Sequence, residues 1–326
     1  MDLKEALAHL HVVRVPMRVR FRGITERECA LIEGPVGWGE VSPFLEYGPE
    51  ESARWLAAAL EAAWQGWPGA VRDHVPVNAT VPAVAAPAVA GVLARFDGST
   101  TAKIKVAERG QHLSDDVDRV AAVRDCLGEG GKVRLDANGG WSVTQAREAI
   151  TALAPFGLEY VEQPCATVPE LATLRRALAR DGLDVPIAAD ESIRKAEDPL
   201  RVAREDAADL VVVKVAPLGG VRRALEIVDA SGLPAVVSSA LETSVGIRAG
   251  VALAAALPEL PYACGLGTVG LLGGDSAATP FVPKGGELPV TPVDADPEHL
   301  ARWAAPAERV QWWRDRLTAM WEYLPS

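Results

Sequence analysis

Lys103 and Lys105 stand two residues apart in "TAKIKVAE" (101–108), a run apolar and β-branched enough to be a strand. Side chains alternate faces along a strand, so both ammonium groups point the same way. Later runs bring further chemistry. "KVRLDAN" offers Asp136 and Asn138 at the same spacing, and "LEYVEQP" offers Glu162 followed by Gln163. "VPIAADE" offers Asp190 and Glu191, "LVVVKVA" Lys214, and "PAVVSSA" Ser238 and Ser239. "PYACGLG" offers only small residues at its end, Gly265 among them. Taken singly, an Asp at a strand end is a turn or helix cap, and a strand Lys is solvated. Those readings weaken when every charge falls at the same end of successive strands. Three carboxylates converging from three adjacent strands repel unless a cation lies between them. Oxygen-only ligands suit hard Mg²⁺, with Mn²⁺ able to substitute. A lysine base must be neutral, against an ordinary pKa of about 10.4. A neighbouring ammonium and a divalent cation both lower it, and Lys103 is placed to do so for Lys105. The set predicts proton abstraction α to a carboxylate, with metal stabilising the dianion that forms.

The elements that must carry these groups repeat from about residue 75 to residue 267. Eight β-rich runs ("VPVNATV" and the seven just quoted) are separated by seven stretches of helical character, such as "VTQAREAITAL" and "GVRRALEIVDA". Strands alternating with helices imply βαβ units and a parallel sheet. Eight of them predict a closed TIM-type barrel whose C-terminal strand ends hold the site. A doubly wound sheet would more often show a Gly-rich phosphate turn after its first strand, and "VPVNATVPAV" has none. Ser142 with Gln145, and Thr167 with Glu170, fit capping boxes that start two of the helices. Residues 1–74 read instead as an antiparallel meander followed by an amphipathic helix, an α+β capping domain. The repeat occupies 75–275, and 276–326 is an extended, Pro-rich then helical segment expected to pack back on the cap.

The chain has 326 residues, 49% of them hydrophobic, a net charge of −11 and a pI near 5.1. An acidic chain without basic runs argues against nucleic acid and anionic membranes. Cys29, Cys126, Cys165 and Cys264 form no CxxC pair and read as reduced thiols in a cytoplasmic setting. "MDLKEALAHL" makes a poor signal peptide, and "VALAAALPEL" is too short to span a bilayer. Nothing in the sequence sets the oligomeric state.

"KIK", "DAN", "EQP", "DES" and "VKV", in that order, resemble the muconate-lactonizing-enzyme subgroup of the enolase superfamily. The resemblance covers nearly the whole chain and implies a (β/α)7β barrel under an α+β cap. It implies that Asp136, Glu162 and Asp190 ligate Mg²⁺. Lys105 and Lys214 would face the substrate from opposite sides, with Lys103 assisting Lys105. Within the subgroup, "SSALETSVG" and "CGLGT" are similar to members that make an aromatic succinyl acid for menaquinone biosynthesis. The implied reaction is syn-dehydration of 2-succinyl-6-hydroxy-2,4-cyclohexadiene-1-carboxylate, a small dicarboxylate. Dipeptide epimerases of the subgroup carry an acid pair in the eighth strand, and "YACGLGTVG" has no acid. The sibling reading is racemisation of N-succinyl amino acids by the same site.

Several supporting roles follow. Ser239, then Ser238, is the best candidate to meet the far succinyl carboxylate. Glu191, on the opposite strand face if regular geometry holds, would orient a lysine or ligand. Arg18, Arg20 and Arg22 share a face of the first strand, a solvated edge from which one could meet an anion. Two other classes remain open: a Schiff-base aldolase using Lys214, and a barrel that has lost catalysis.

Overall fold

The computed structural model describes residues 2–21, 23–194 and 198–324. A short helix (Leu3–Ala8) precedes three strands, β1 (Leu10–Phe21), β2 (Ile24–Glu33) and β3 (Trp38–Val41), paired antiparallel in that order. The helix Pro49–Leu60 lies across them, its start fixed by Pro49 in the first turn. At Gly39 of β3 a Cβ would stand 2.1 Å from the Ala59 carbonyl, so only glycine lets helix and sheet approach this closely. β1 turns into β2 through a tight hairpin in which Phe21 pairs with Ile24.

After β4 (His74–Pro76) come the strands β5 (Ala79–Val81), β6 (Thr101–Lys105), β7 (Lys132–Asp136), β8 (Leu158–Glu162), β9 (Ile187–Ala189), β10 (Leu210–Val213) and β11 (Ala235–Val237). β5 to β11 form one seven-stranded parallel sheet in sequential order. Helices including Leu113–Leu127, Val143–Leu153, Val168–Arg180 and Val221–Ser231 connect them, and Ser244–Ala256 follows β11. Both capping boxes form: Ser142 with Gln145 and Thr167 with Glu170 satisfy the free N–H groups at two of these helix starts. The fifth helical stretch is broken into short pieces, Glu191–Arg194 and Arg201–Arg204.

The eighth predicted run is no regular strand. It makes isolated parallel bridges instead, Cys264 with Val77 at one side of the sheet and Gly265 with Ser238 at the other. Cys264 N–H donates to Pro76 O at 2.7 Å, and Gly265 N–H to Val237 O at 2.8 Å. Arg134, fully buried on β7, donates to Ala263 O at 2.6 Å and to Asn78 Oδ1 at 3.1 Å, tying this run to the sheet interior.

Beneath the charged strand ends, the same sheet face carries an apolar cluster beside the buried Arg134 guanidinium, which lies 4.8 Å from the centre of the Tyr160 ring. Tyr160, Ala188, Leu210, Val212 and Val236 pack together. Four of them stand two residues before Glu162, Asp190, Lys214 and Ser238, hence on the same face. The charged groups rest on a packed floor that fixes their height.

The C-terminal segment packs back on earlier elements of the chain. β12 (Glu287–Pro289) pairs antiparallel with β4. The helix Ala307–Trp321 packs on Pro49–Leu60 and buries Trp313, Leu317 and Met320. Within it Trp313 Nε1 donates to Glu28 at 3.0 Å, and Arg316 Nη2 donates to Phe44 O and Tyr47 O at 3.0 and 2.8 Å. No helix of the described residues is long and apolar enough to cross a membrane. The four cysteines are free thiols, and Cys126 alone of them is exposed.

Candidate active site

Parallel register sets the reacting groups side by side: Lys105 pairs with Asp136 across β6 and β7, and Asp136 with Glu162 across β7 and β8. Lys103 Nζ lies 2.8 and 3.0 Å from the two Glu162 oxygens and 3.4 Å from Asp136. Lys105 Nζ donates to Asp136 at 2.5 Å and to Asn138 Oδ1 at 2.7 Å. Lys214, just past β10, donates to Asp190 at 2.5 Å. Two of the expected carboxylates thus share the two lysines of β6, and the third pairs with Lys214. Glu162 and Asp190 are fully buried, and Asp136 nearly so.

Burial lowers the Lys105 amine; Asp136 opposes the shift and the Lys103 ammonium reinforces it, so that Lys105 titrates below the ordinary lysine range. Burial, which the sequence did not reveal, is thus the largest cause, ahead of the neighbouring ammonium expected from the spacing. Burial also presses on Lys103, but Glu162 and Asp136 outweigh it and hold that ammonium above the ordinary range. Asp136 is pushed up by burial and drawn far below the carboxylate range by Lys105 and Lys103. Glu162 rises to about 7, through burial first and the Asp136 charge second. Asp190 falls to about 2 because Lys214 and Arg194 overcome its burial.

Two left-handed residues shape the turns after the strands. Asn138 (φ +48°) folds its N–H back onto Asp136 Oδ1 at 3.1 Å. Gln163 (φ +38°) is buried, and its Oε1 accepts from Asp190 N–H at 2.9 Å and Ser192 N–H at 3.1 Å. Gln163 thereby sets the backbone that presents Asp190.

Regular strand geometry does not persist to Glu191. β9 ends at Ala189 and the chain turns into Glu191–Arg194, which swings Glu191 back toward the site. There its Oε1 accepts from Asn138 Nδ2 at 3.2 Å and from Arg194 Nη2 at 2.6 Å. Arg194, which also donates to Asp190 at 3.2 Å, was not singled out from sequence. In "DESIR" it reads as an ordinary basic residue of a helix.

A cavity opens above this cluster. Lys103, Lys105, Asp136, Asn138, Lys214, Ser238, Ser239 and Gly265 line it, together with Thr80, Arg194, Leu241 and Thr268. One wall is aromatic and comes from the cap: Phe21, Phe44, Tyr47 and Trp55. Phe21 stands at the hairpin tip with its ring 5.5 Å from Lys105 Nζ. Ser239 Oγ donates to Gly265 O at 2.8 Å and meets Thr268 Oγ1 at 2.9 Å; Thr243 occupies the N-cap position of the following helix. Arg18 turns away from the cavity, with Nε on Leu272 O at 2.7 Å. Arg20 is exposed beside Phe21 in an adjoining cleft that also touches Lys105, and Arg22 lies outside the described residues.

Asp136, Glu162 and Asp190 are an all-oxygen donor set that suits a hard divalent cation. Among the described residues no three acidic, His or Cys side chains are grouped to cage an ion as they stand. Lysine ammonium groups hold the carboxylate oxygens. Asp136 and Glu162 occupy directly paired positions of β7 and β8, so two of these carboxylates stand side by side on one face. The residues therefore fit a divalent cation.

Residues 87–294 match the enolase C-terminal domain-like family, and residues 12–63 the enolase N-terminal domain-like family. An o-succinylbenzoate synthase of Mycolicibacterium smegmatis is 61% identical over 318 residues, covering 97% of this chain and 96% of that protein. The chain belongs to the o-succinylbenzoate synthases of the enolase superfamily. A second o-succinylbenzoate synthase, from Thermobifida fusca, is 62% identical over 287 residues, 88% of this chain and 89% of its own. The fold is shared more widely: muconate lactonizing enzyme from Pseudomonas putida superposes with a TM-score of 0.75 over 91% of this chain and 98% of its own, at 22% identity. Membership among the o-succinylbenzoate synthases sets aside the aldolase and non-catalytic readings.

Proposed function

We propose that this chain is a Mg²⁺-dependent lyase that converts 2-succinyl-6-hydroxy-2,4-cyclohexadiene-1-carboxylate to o-succinylbenzoate and water, for menaquinone biosynthesis in the cytoplasm. The observation that carries the chemistry is the buried Lys103–Lys105–Asp136–Glu162 cluster at the floor of a cavity. In this reading β5 to β11 close through residues 261–267 into a (β/α)7β barrel. Residues 1–74 with 276–326 form its cap, and 75–275 carry the catalysis.

Asp136, Glu162 and Asp190 would hold the cation, Mg²⁺ with Mn²⁺ as a substitute. When bound, it would neutralise the substrate carboxylate and the charge that develops as the α-proton leaves. Lys105, lowered by burial and by Lys103, takes the proton from the carbon bearing the carboxylate. The C–H electron pair becomes the new ring double bond, and the C–O bond to the adjacent hydroxyl breaks. Lys105 returns its proton to the departing oxygen on the same face, releasing water and leaving an aromatic ring. Lys214, held against Asp190, offers positive charge to the ring from across the cavity. Asn138 and Glu191 steady Lys105 and Arg194. Ser238, Ser239 and Gly265 line the end where the succinyl tail would lie. A folded Lys105→Ala variant is expected to show no dehydration, and turnover near the wild-type rate would remove Lys105 from this role.

A second activity, racemisation of N-succinyl amino acids, is supported by one observation. Amines from β6 and from the end of β10 line the same cavity, and racemisation needs a base on each face.

A further inference from the structure

Leu241 lies in the cavity wall with φ +68°, a left-handed conformation that a γ-branched residue rarely adopts. Backbone strain of this kind persists only where the surroundings over-determine it. Here they do so from the cap. Arg27 of β2 is 2% exposed, and its guanidinium donates to Leu241 O at 3.1 Å, to Ala240 O at 3.2 Å and to Ser42 O. Its Cζ also stands 4.4 Å from the centre of the Phe44 ring. Phe44, Ala240 and Leu241 all line the cavity; Arg27 does not. Among the described residues no carboxylate lies within ion-pair distance of Arg27; carbonyls and one aromatic face satisfy its guanidinium, while the buried Glu40 and Glu242 sense its charge. Glu40 of β3 holds the other side of the same turn. It accepts from Thr243 N–H at 3.1 Å, Thr243 Oγ1 at 2.5 Å and Gly246 N–H at 3.1 Å. Two cap residues of opposite charge thus clamp the turn that follows Ser238 and Ser239.

We propose that Arg27 is a positioning residue: it fastens the 240–242 turn to Phe44 and so fixes the cavity wall that grips the part of the substrate that does not react. The inference rests on the dehydratase reading of this cavity. A rigid wall contacts substrate and transition state alike, so its loss raises KM and spares kcat. Simple loss of fold would instead lower the active fraction at constant KM.

The test is steady-state dehydration with Mg²⁺ by the full chain and by Arg27→Met, Arg27→Lys, Leu241→Ala and the Arg27→Met/Leu241→Ala double variant. Arg27→Met and Leu241→Ala should each raise KM at least about tenfold with kcat within about threefold of wild type. Arg27→Lys, which keeps the charge but not the planar fork, should fall between. Because Arg27 acts through the turn, the double variant should lie within about threefold of the worse single variant. Leu241→Ala at wild-type KM would overturn the inference, even if Arg27→Met fails to fold. A double variant whose KM is the product of the two single effects would overturn it as well. Absence of dehydration by the wild-type chain would remove the functional reading itself, and this inference with it.

Discussion

Replacing Lys103 by Met keeps the length of the side chain and removes its charge. Glu162 then loses a partner at 2.8 Å in a position with no solvent exposure, and Asp136 loses one at 3.4 Å. Breaking a buried ion pair from one side costs about 3–5 kcal/mol, because the stranded charge has no water to turn to. A 326-residue chain unfolds with about 0.7 kcal/mol per kelvin of entropy, so the melting temperature should drop by roughly 4–7 °C. The cost depends on pH. Glu162 already titrates near 7, above its ordinary 4.5, so the folded chain keeps a proton that the unfolded chain gives up between those values. Stability from this group is therefore present at low pH and lost as pH rises through 7. Without Lys103 the folded value moves higher still, and the variant sheds up to about 1.4 kcal/mol per pH unit where the wild type no longer does. Thermal unfolding in EDTA, followed by circular dichroism at pH 6 and pH 8, reads both effects. Asp136 stays ionised throughout, so a deficit is already present at pH 6, and it should grow by about 1.4 kcal/mol, or roughly 2 °C, by pH 8. A variant within 1 °C of wild type at pH 8, by the same conversion, or a deficit no larger there than at pH 6, would refute the reasoning.

Lys214→Arg keeps a cation against Asp190 but cannot give up its proton, so it should retain a larger share of dehydration than of N-succinyl amino acid racemisation. Equal loss of both activities in a folded, metal-binding variant would end that division of labour. Glu28→Gln probes the seam between cap and C-terminal helix. Burial pushes Glu28 up, but hydrogen bonds from Arg309 and Trp313 outweigh it and hold it below 4.5. The wild type should exceed the variant by about 1.5–3 kcal/mol above pH 5 in urea titrations, and the gap should close as pH falls below 4.5. A gap that is constant down to pH 3 would refute the ion-pair account.

The period-two spacings were legible because strand geometry is local: Lys103 and Lys105 needed only alternation to share a face, and parallel register then aligned Lys105 with Asp136. The capping boxes were legible for the same reason. What depended on the end of a strand was not. Two further residues of β9 would have sent Glu191 outward, but the chain turns helical there and the carboxylate meets Asn138. Gly265, Gly267 and Pro261 leave the eighth run too little regular backbone for a ladder, so it bridges its neighbours at single residues. The aromatic wall was hidden for another reason. Phe21, Phe44, Tyr47 and Trp55 lie far along the chain from the lysines, and nothing in their own surroundings marks them as facing a cavity built elsewhere. Arg18 stays exposed, as an edge charge should, but its Nε is taken up by the Leu272 carbonyl, a contact made with a segment remote in sequence.

The central claim is metal-assisted dehydration at this cluster. Its most direct test is the ultraviolet change as the purified chain, stripped with EDTA and then given Mg²⁺, acts on 2-succinyl-6-hydroxy-2,4-cyclohexadiene-1-carboxylate. The account predicts o-succinylbenzoate only after Mg²⁺ is restored. No product with Mg²⁺ present, or an undiminished rate after complete stripping, would contradict it.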